Sequence, residues 1–322
     1  MKKGILIGLP YHGNLGDSAI AIAEMKFLRD NFKDLELEII PEVGLKDKVC
    51  EIKKKIEKED IIFLHGGGNI GTYKVPEEGR REVIKEFPEN RIIIFPQTVY
   101  FEKSESGKEE LEISKRIYNG HKNLTIVARE KTSLDFMKEH FKKVNILFTP
   151  DIVMYLNEVK YRERENKVLL CFRGDRERKT DERLNSIVKK ILADKVEKYE
   201  YTDTHLGDKY NLKEKERREI VDEKFEEFRK SKIVITDRLH GMIFAAVTGT
   251  PCVAFGNFNH KIKDSFEWIR HLGYVQYVED NNDYKDIERK INKVLSYEEC
   301  VYDNTFAIKE YEKIKKWIQG AY

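Results

Sequence analysis

Short apolar runs alternate with longer stretches in which apolar residues recur every three or four positions. The runs at 4–9 (GILIGL), 37–40, 61–64, 91–96 (RIIIFP), 124–128 and 144–148 predict strands. The periodic stretches at 18–31, 46–59, 77–87, 105–119 and 132–140 predict the helices between them. A strand that is apolar without alternation is covered on both faces, which calls for a parallel sheet wrapped by crossover helices. After a polar stretch at 157–166 the pattern restarts, with strands predicted at 167–172, 196–201, 233–236 and 252–255. Helices are predicted at 181–192, 212–231 and 241–247, and an amphipathic helix at 305–318 closes the chain. The expectation is two α/β domains with parallel sheets, 1–156 and 157–304, a C-terminal helix in 305–322, and a ligand cleft between the domains.

Composition narrows the function classes. The 322 residues are 40% hydrophobic and 37% charged, enough for real cores under a heavily solvated exterior. Sixty basic residues face fifty-eight acidic ones, so no global field argues for nucleic acid, and any anion site must be a local cluster. Cys50, Cys171, Cys252 and Cys300 form no C-x-x-C pair and are expected as buried, reduced thiols. The apolar run near the N-terminus is too short for a signal peptide, and no stretch approaches the ~20 apolar residues of a membrane span. A cytoplasmic protein is expected, with peripheral contact at the inner face of the membrane left open. No H-E-x-x-H, calcium loop, P-loop, G-x-G-x-x-G or G-x-S-x-G is present, so neither a metal nor a nucleotide signature is found.

In parallel sheets ligands bind beyond the carboxyl ends of the strands, so those ends hold the candidates. The first is followed by HGNLGDS, in which Gly13 and Gly16 permit a tight turn, Asn14 and Asp17 project, and Asp17 or Ser18 is expected to cap the helix. The third is followed by LHGGGNIG, bare backbone beside His65 and Asn69, expected as a ligand-facing loop. The fourth is followed by Gln97 and Thr98, the fifth by Arg129 and Glu130, the sixth by Asp151. Arg129 has an ordinary alternative as the partner of a nearby carboxylate. In the second half Arg173 precedes a turn at Gly174. Asp237, Arg238 and His240 share one strand end at the start of an apolar helix, and Asn257, Asn259, His260 and Lys261 follow the next strand. Arginine and histidine beside a helix start make a compact anion site.

The segments GNLGDSAI, HGGGN, PQT, ARE and DRLHGMIFAAVTGTPCVAF, in that order from about residue 4 to residue 261, resemble the polysaccharide pyruvyl transferase family. The resemblance implies a GT-B-like pair of Rossmann-like domains, with the C-terminal helix returning to the first. It implies transfer of pyruvate from phosphoenolpyruvate to a sugar diol of a cell-surface polysaccharide or its lipid-linked precursor. The product is a cyclic ketal, phosphate is released, and no cofactor is needed beyond phosphoenolpyruvate as co-substrate. Arg129, Arg238 and His240 would hold the donor, with Arg173 and Lys261 assisting. His240 is the expected general acid, with His65 and Asp17 as the other catalytic candidates. Asn14, Asp17, His65, Asn69 and Gln97 would contact the acceptor. Two rivals remain at this point: a GT-B glycosyltransferase whose cations grip a nucleotide sugar, and a non-catalytic assembly protein on the same fold.

Overall fold

The computed structural model describes residues 3–173, 182–207, 212–256 and 260–320. The turn expected at Gly174 and the polar pair Asn257 and Asn259 lie outside them. The first sheet is built from β1 (Lys3–Leu9), β2 (Glu36–Pro41), β3 (Ile61–Leu64), β4 (Gly67–Gly71), β5 (Arg91–Tyr100), β6 (Leu124–Ala128) and β7 (Asn145–Phe148). Its order is β2–β1–β3–β5–β6–β7, with β4 added beside the distal half of β5. Helices α1 (Leu15–Asn31), α2 (Leu45–Lys53), α3 (Lys74–Glu86), α4 (Glu105–Gly120) and α5 (Lys131–His140) make the crossovers. The second sheet, β12–β11–β10–β8–β9, joins β8 (Glu165–Cys171), β9 (Lys198–Thr202), β10 (Ser231–Thr236), β11 (Cys252–Phe255) and β12 (Val275–Val278). Its helices are α6 (Glu182–Leu192), α7 (Glu214–Arg229), α8 (Leu239–Val247), α9 (Lys261–Ile269) and α10 (Tyr284–Leu295). Every ladder in both sheets is parallel.

The two sheets share one apolar core. It runs from α1 through α7 and α8 to the last helix, α11 (Thr305–Ile318). Phe27 of α1 stands edge-on to Tyr155 and Tyr311, 5.5 and 5.3 Å between ring centres. Burying each such ring contributes about 2–3 kcal/mol, so this seam fixes how the halves meet. The Tyr311 hydroxyl donates to the Pro150 carbonyl at 3.0 Å, and that of Tyr302 donates to Met154 at 2.6 Å. The C-terminal segment thereby braces the turn at 150–155 against the first domain. Every residue of α8 except His240 is buried, because its face is apolar all round and Gly241, Ala245 and Ala246 allow close approach.

Several local expectations change. The run after β3 is not a loop: Gly67–Gly71 is extended and pairs with the far half of β5, Gly67 opposite Gln97 and Gly71 opposite Tyr100. β5 continues through Pro96 because that residue, lacking an N–H, falls where the β3 ladder ends at Ile94 and the β4 ladder begins. Gln97 and Thr98 are therefore inside a strand. Helix α1 starts at Leu15, and its cap is Asn14 rather than Asp17 or Ser18; the Asn14 carboxamide oxygen accepts from Gly16 N at 2.9 Å. Helices α9 and α10 and strand β12 were not expected. Cys171, Cys252 and Cys300 are buried free thiols as expected, and burial pushes Cys171 up to about 12; Cys50, expected to be buried, is exposed on α2.

Candidate active site

Asp151 joins the two domains. It caps a short turn of 3-10 helix, Ile152–Tyr155, by accepting from Val153 N at 2.9 Å. Its other oxygen accepts from Arg129 Nη1 at 2.7 Å, and His240 Nε2 of the second domain lies 3.6 Å from it. Arg129 also donates from Nε to Thr98 Oγ1 at 2.7 Å, so β5, β6 and the turn after β7 all aim it. Both members of the Arg129–Asp151 pair are about 98% buried or more. Burial opposes ionisation of Asp151, but His240 and Arg129 outweigh it and hold the carboxyl at about 2. Across the cleft, the His240 ring rests on Gly16 at the start of α1.

The glycine strand forms the next wall. A Cβ on Gly68 would sit 3.0 Å from Arg129 Nη2 and 3.4 Å from Lys261 Nζ. Two cations, one from each domain, thus meet over a backbone without side chains. Lys261 Nζ also lies 5.7 Å from the centre of the Tyr73 ring. His260 Nε2 is 3.5 Å from Glu130, which is fully buried and accepts from Thr98 and Ser133. Among the described residues no group of three or more His, Cys, Asp or Glu is arranged to hold a metal ion.

Next in the strand, Asn69 turns to a cavity of about 500 Å3 at the ends of β1, β2 and β3. Its polar wall is His12, Asp17, Glu42, His65, Asn69 and Arg80, and Ile7, Leu45, Leu64 and Val83 line it on the apolar side. Arg80, paired with Glu77, donates to the Asn69 side-chain oxygen. His12 stands between Asp17 and Glu42, at 3.6 and 3.9 Å. His65 Nδ1 is 2.8 Å from Glu24 Oε2, and Gly66 N donates to Glu24 Oε1 at 2.7 Å. Burial disfavours the charged His65 ring, yet the Glu24 carboxylate outweighs it and raises the histidine above its ordinary value. Asp17 links the regions, being the neighbour of Gly16 and a residue of the cavity wall.

The sequence profile of the family described as polysaccharide pyruvyl transferase matches residues 14–260. The chain belongs to this family. General stress protein 30 of Bacillus subtilis (strain 168) is 39% identical over 299 residues, covering 92% of this chain and 86% of that protein. Pyruvyl transferase 1 of Schizosaccharomyces pombe is 31% identical over 273 residues, covering 80% and 67%. An S. aureus MnaA–UDP co-structure superposes with a TM-score of 0.59 at 13% identity, covering 99% of this chain and 97% of that one, and so shows a shared GT-B-like fold. The family places the chain among transferases of polysaccharide biosynthesis.

Within this pyruvyl transferase fold the predicted residues separate into groups. Arg129, His240 and Lys261 converge at the cleft. Asp17, His65 and Asn69 share the cavity. Arg238 stands two residues from His240 and donates to Asp203 at 2.6 Å; Asp203 follows β9, whose connection to α7 pairs with Asn14 through His205. The Arg173 backbone N–H is held by Asp237 at 2.8 Å. Gln97 is fully buried with its amide on backbone, accepting from Asn69 N at 3.3 Å and donating to the His65 carbonyl at 2.9 Å. It shapes the wall from behind. Glu24, His12, Glu42 and Arg80 were not singled out, and Asp151 was named at its strand end without a role. Glu24 had a signal: a lone carboxylate in AIAIAEMKF, on a helix that buries its apolar stripe.

Proposed function

We propose that the protein transfers pyruvate from phosphoenolpyruvate to two hydroxyls of a sugar, forming a ketal and releasing phosphate. The observation that carries this reading is the meeting of Arg129, Lys261 and His240 at one cleft in a member of the pyruvyl transferase family. A donor with a phosphate and a carboxylate needs at least two cations, and Arg129 Nη2 and Lys261 Nζ stand over open glycine backbone. Arg238 and Arg173 are assigned to the same donor from the second domain. No cofactor is required, phosphoenolpyruvate being a co-substrate.

The chemistry is a proton transfer followed by two additions. His240, backed by Asp151, gives a proton to C3 of the enol, so C2 becomes electron-poor. One sugar hydroxyl adds to C2 and loses its proton. Phosphate leaves with the bonding pair, and the second hydroxyl adds to C2 and closes the ring, its proton passing to the His240 that gave one up or to the departing phosphate. The acceptor lies in the cavity of Asp17, His65 and Asn69, its apolar ring face against Leu45, Leu64 and Val83. The experiment is a panel of defined glycans incubated with phosphoenolpyruvate. Phosphate release together with a mass gain of one pyruvate ketal supports the reading. Nucleotide release from a nucleotide sugar, with phosphoenolpyruvate untouched, rejects it.

A further inference from the structure

We infer that Glu24 is a positioning residue that makes His65 the proton acceptor for the attacking sugar hydroxyl. The inference rests on the transfer reading above and assigns the base that reading lacks.

The geometry fixes the tautomer. Glu24 is fully buried in α1, and both its oxygens are engaged, Oε1 by Gly66 N–H at 2.7 Å and Oε2 by His65 Nδ1 at 2.8 Å. A carboxylate only accepts, so Nδ1 must carry the proton whether the ring is neutral or charged. The neutral ring then has its lone pair at Nε2. That atom is buried and has no hydrogen-bond partner, in a residue that is 8% exposed and forms part of the cavity wall. A buried acceptor without a donor is costly unless a ligand supplies one. A sugar hydroxyl in the cavity is such a donor.

The step balances. As the hydroxyl oxygen bonds to C2, its O–H bond breaks and the proton moves to Nε2, while the Nδ1 proton stays with Glu24. The enol π pair has taken its proton from His240. The proton on Nε2 later leaves with phosphate or solvent. Charged and titratable groups facing His65 are Glu24 and Asp17 from α1, Glu42 after β2, His12 after β1 and Arg80 from α3. The carboxylates among them stabilise the imidazolium that forms, as in nucleophile–histidine–acid triads.

Glu24→Gln separates this role from simple packing. The Gly66 N–H demands the amide oxygen, so the amide NH2 must face Nδ1 and the proton moves to Nε2, where it blocks the base. Turnover should fall roughly 10²- to 10⁴-fold with the KM for phosphoenolpyruvate unchanged. In wild type labelled with 15N-histidine, with His65 assigned by its loss in His65→Gln, the neutral ring should be the Nδ1–H tautomer. A wild-type Nε2–H tautomer overturns the inference even if Glu24→Gln does not fold. So does a folded Glu24→Gln enzyme with wild-type turnover. If no acceptor draws pyruvate from phosphoenolpyruvate, the transfer reading fails by itself, and the tautomer still judges the pair.

Discussion

The imidazole of His240 packs on Gly16 so closely that a Cβ there would lie 2.1 Å from Nδ1. The start of α1 and the start of α8, from different domains, are therefore in contact through one bare α-carbon. Gly16→Ala is favourable for the helix itself, since alanine is the better helix former. It must push the ring away from Asp151. We predict a stability change within about 1–3 kcal/mol, the usual range for overpacking, and a fall in turnover of about 100-fold from misplacing the acid. Thermal melts beside steady-state rates check it. Wild-type turnover in a folded Gly16→Ala protein would remove His240 from the chemistry.

Asp151 gives a pH dependence with a definite sign. Its folded-state value of about 2 lies below the ordinary 3.8, so the stabilisation is complete above about pH 4. It is lost as pH falls towards the folded value, and it amounts to about 2 kcal/mol. Urea unfolding of the wild type should show this loss between about pH 4 and pH 2, and Asp151→Asn should lack that share of the slope. At neutral pH the same variant removes the closer carboxylate from the buried Arg129 and leaves only Glu130, 3.6 Å from its Nε, which costs up to about 3–5 kcal/mol. An unchanged unfolding midpoint at pH 7 would rule out the pair as a structural hinge.

Much of this architecture is legible in the sequence, for identifiable reasons. Strands such as ILIG and IIIF are apolar throughout, so the parallel sheets could be foreseen. Strand β12 is only four residues long and includes the polar Gln276, so it has no such signal; α9 and α10 do carry apolar residues at helical spacing, Ile262 with Ile269 and Ile287 with Ile291 and Val294, between their charged positions. His240 and Arg129 announced themselves at strand ends. Asp151 did not reveal that it would bind both, because the contact crosses 89 residues of chain from 151 to 240. The Gly67–Gly71 strand was hidden by composition: glycine reads as loop, yet the ladder of a long neighbouring strand pulls it straight.

That glycine strand yields paired expectations. Gly68 has no positive φ and faces Arg129 and Lys261, so Gly68→Val should fill the donor's space and press on the Arg129 guanidinium, which would lie 3.0 Å from its Cβ. Its affinity for phosphoenolpyruvate should drop at least tenfold, and crowding of Arg129 should cost about 1–3 kcal/mol of stability while the protein still folds. Gly71 differs. Its φ is +141°, and a Cβ would lie 1.8 Å from the Tyr100 carbonyl oxygen. Gly71→Ala should cost about 1–3 kcal/mol of backbone strain and lower the melting temperature. If Gly68→Val binds the donor as tightly as wild type, the space over Gly68 is not the donor site.

The cleanest probe of the donor cations is Lys261 rather than Arg129. Removing Arg129 strands a buried carboxylate, so lost binding could not be told from lost structure. Lys261 opens α9 and reaches across to Gly68 and Tyr73 from the second domain. Its loss removes a charge-assisted bond to the bound anion, about 1.5–3 kcal/mol. Lys261→Ala should therefore weaken phosphoenolpyruvate binding about 10- to 100-fold, with turnover at saturation much less affected. Because the lost term is a charge pair near the surface, the wild type should also lose affinity more steeply with added salt than the variant. Calorimetric titration at two ionic strengths measures both. Equal affinities and equal salt slopes would exclude Lys261 from the donor site and leave that role to the arginines.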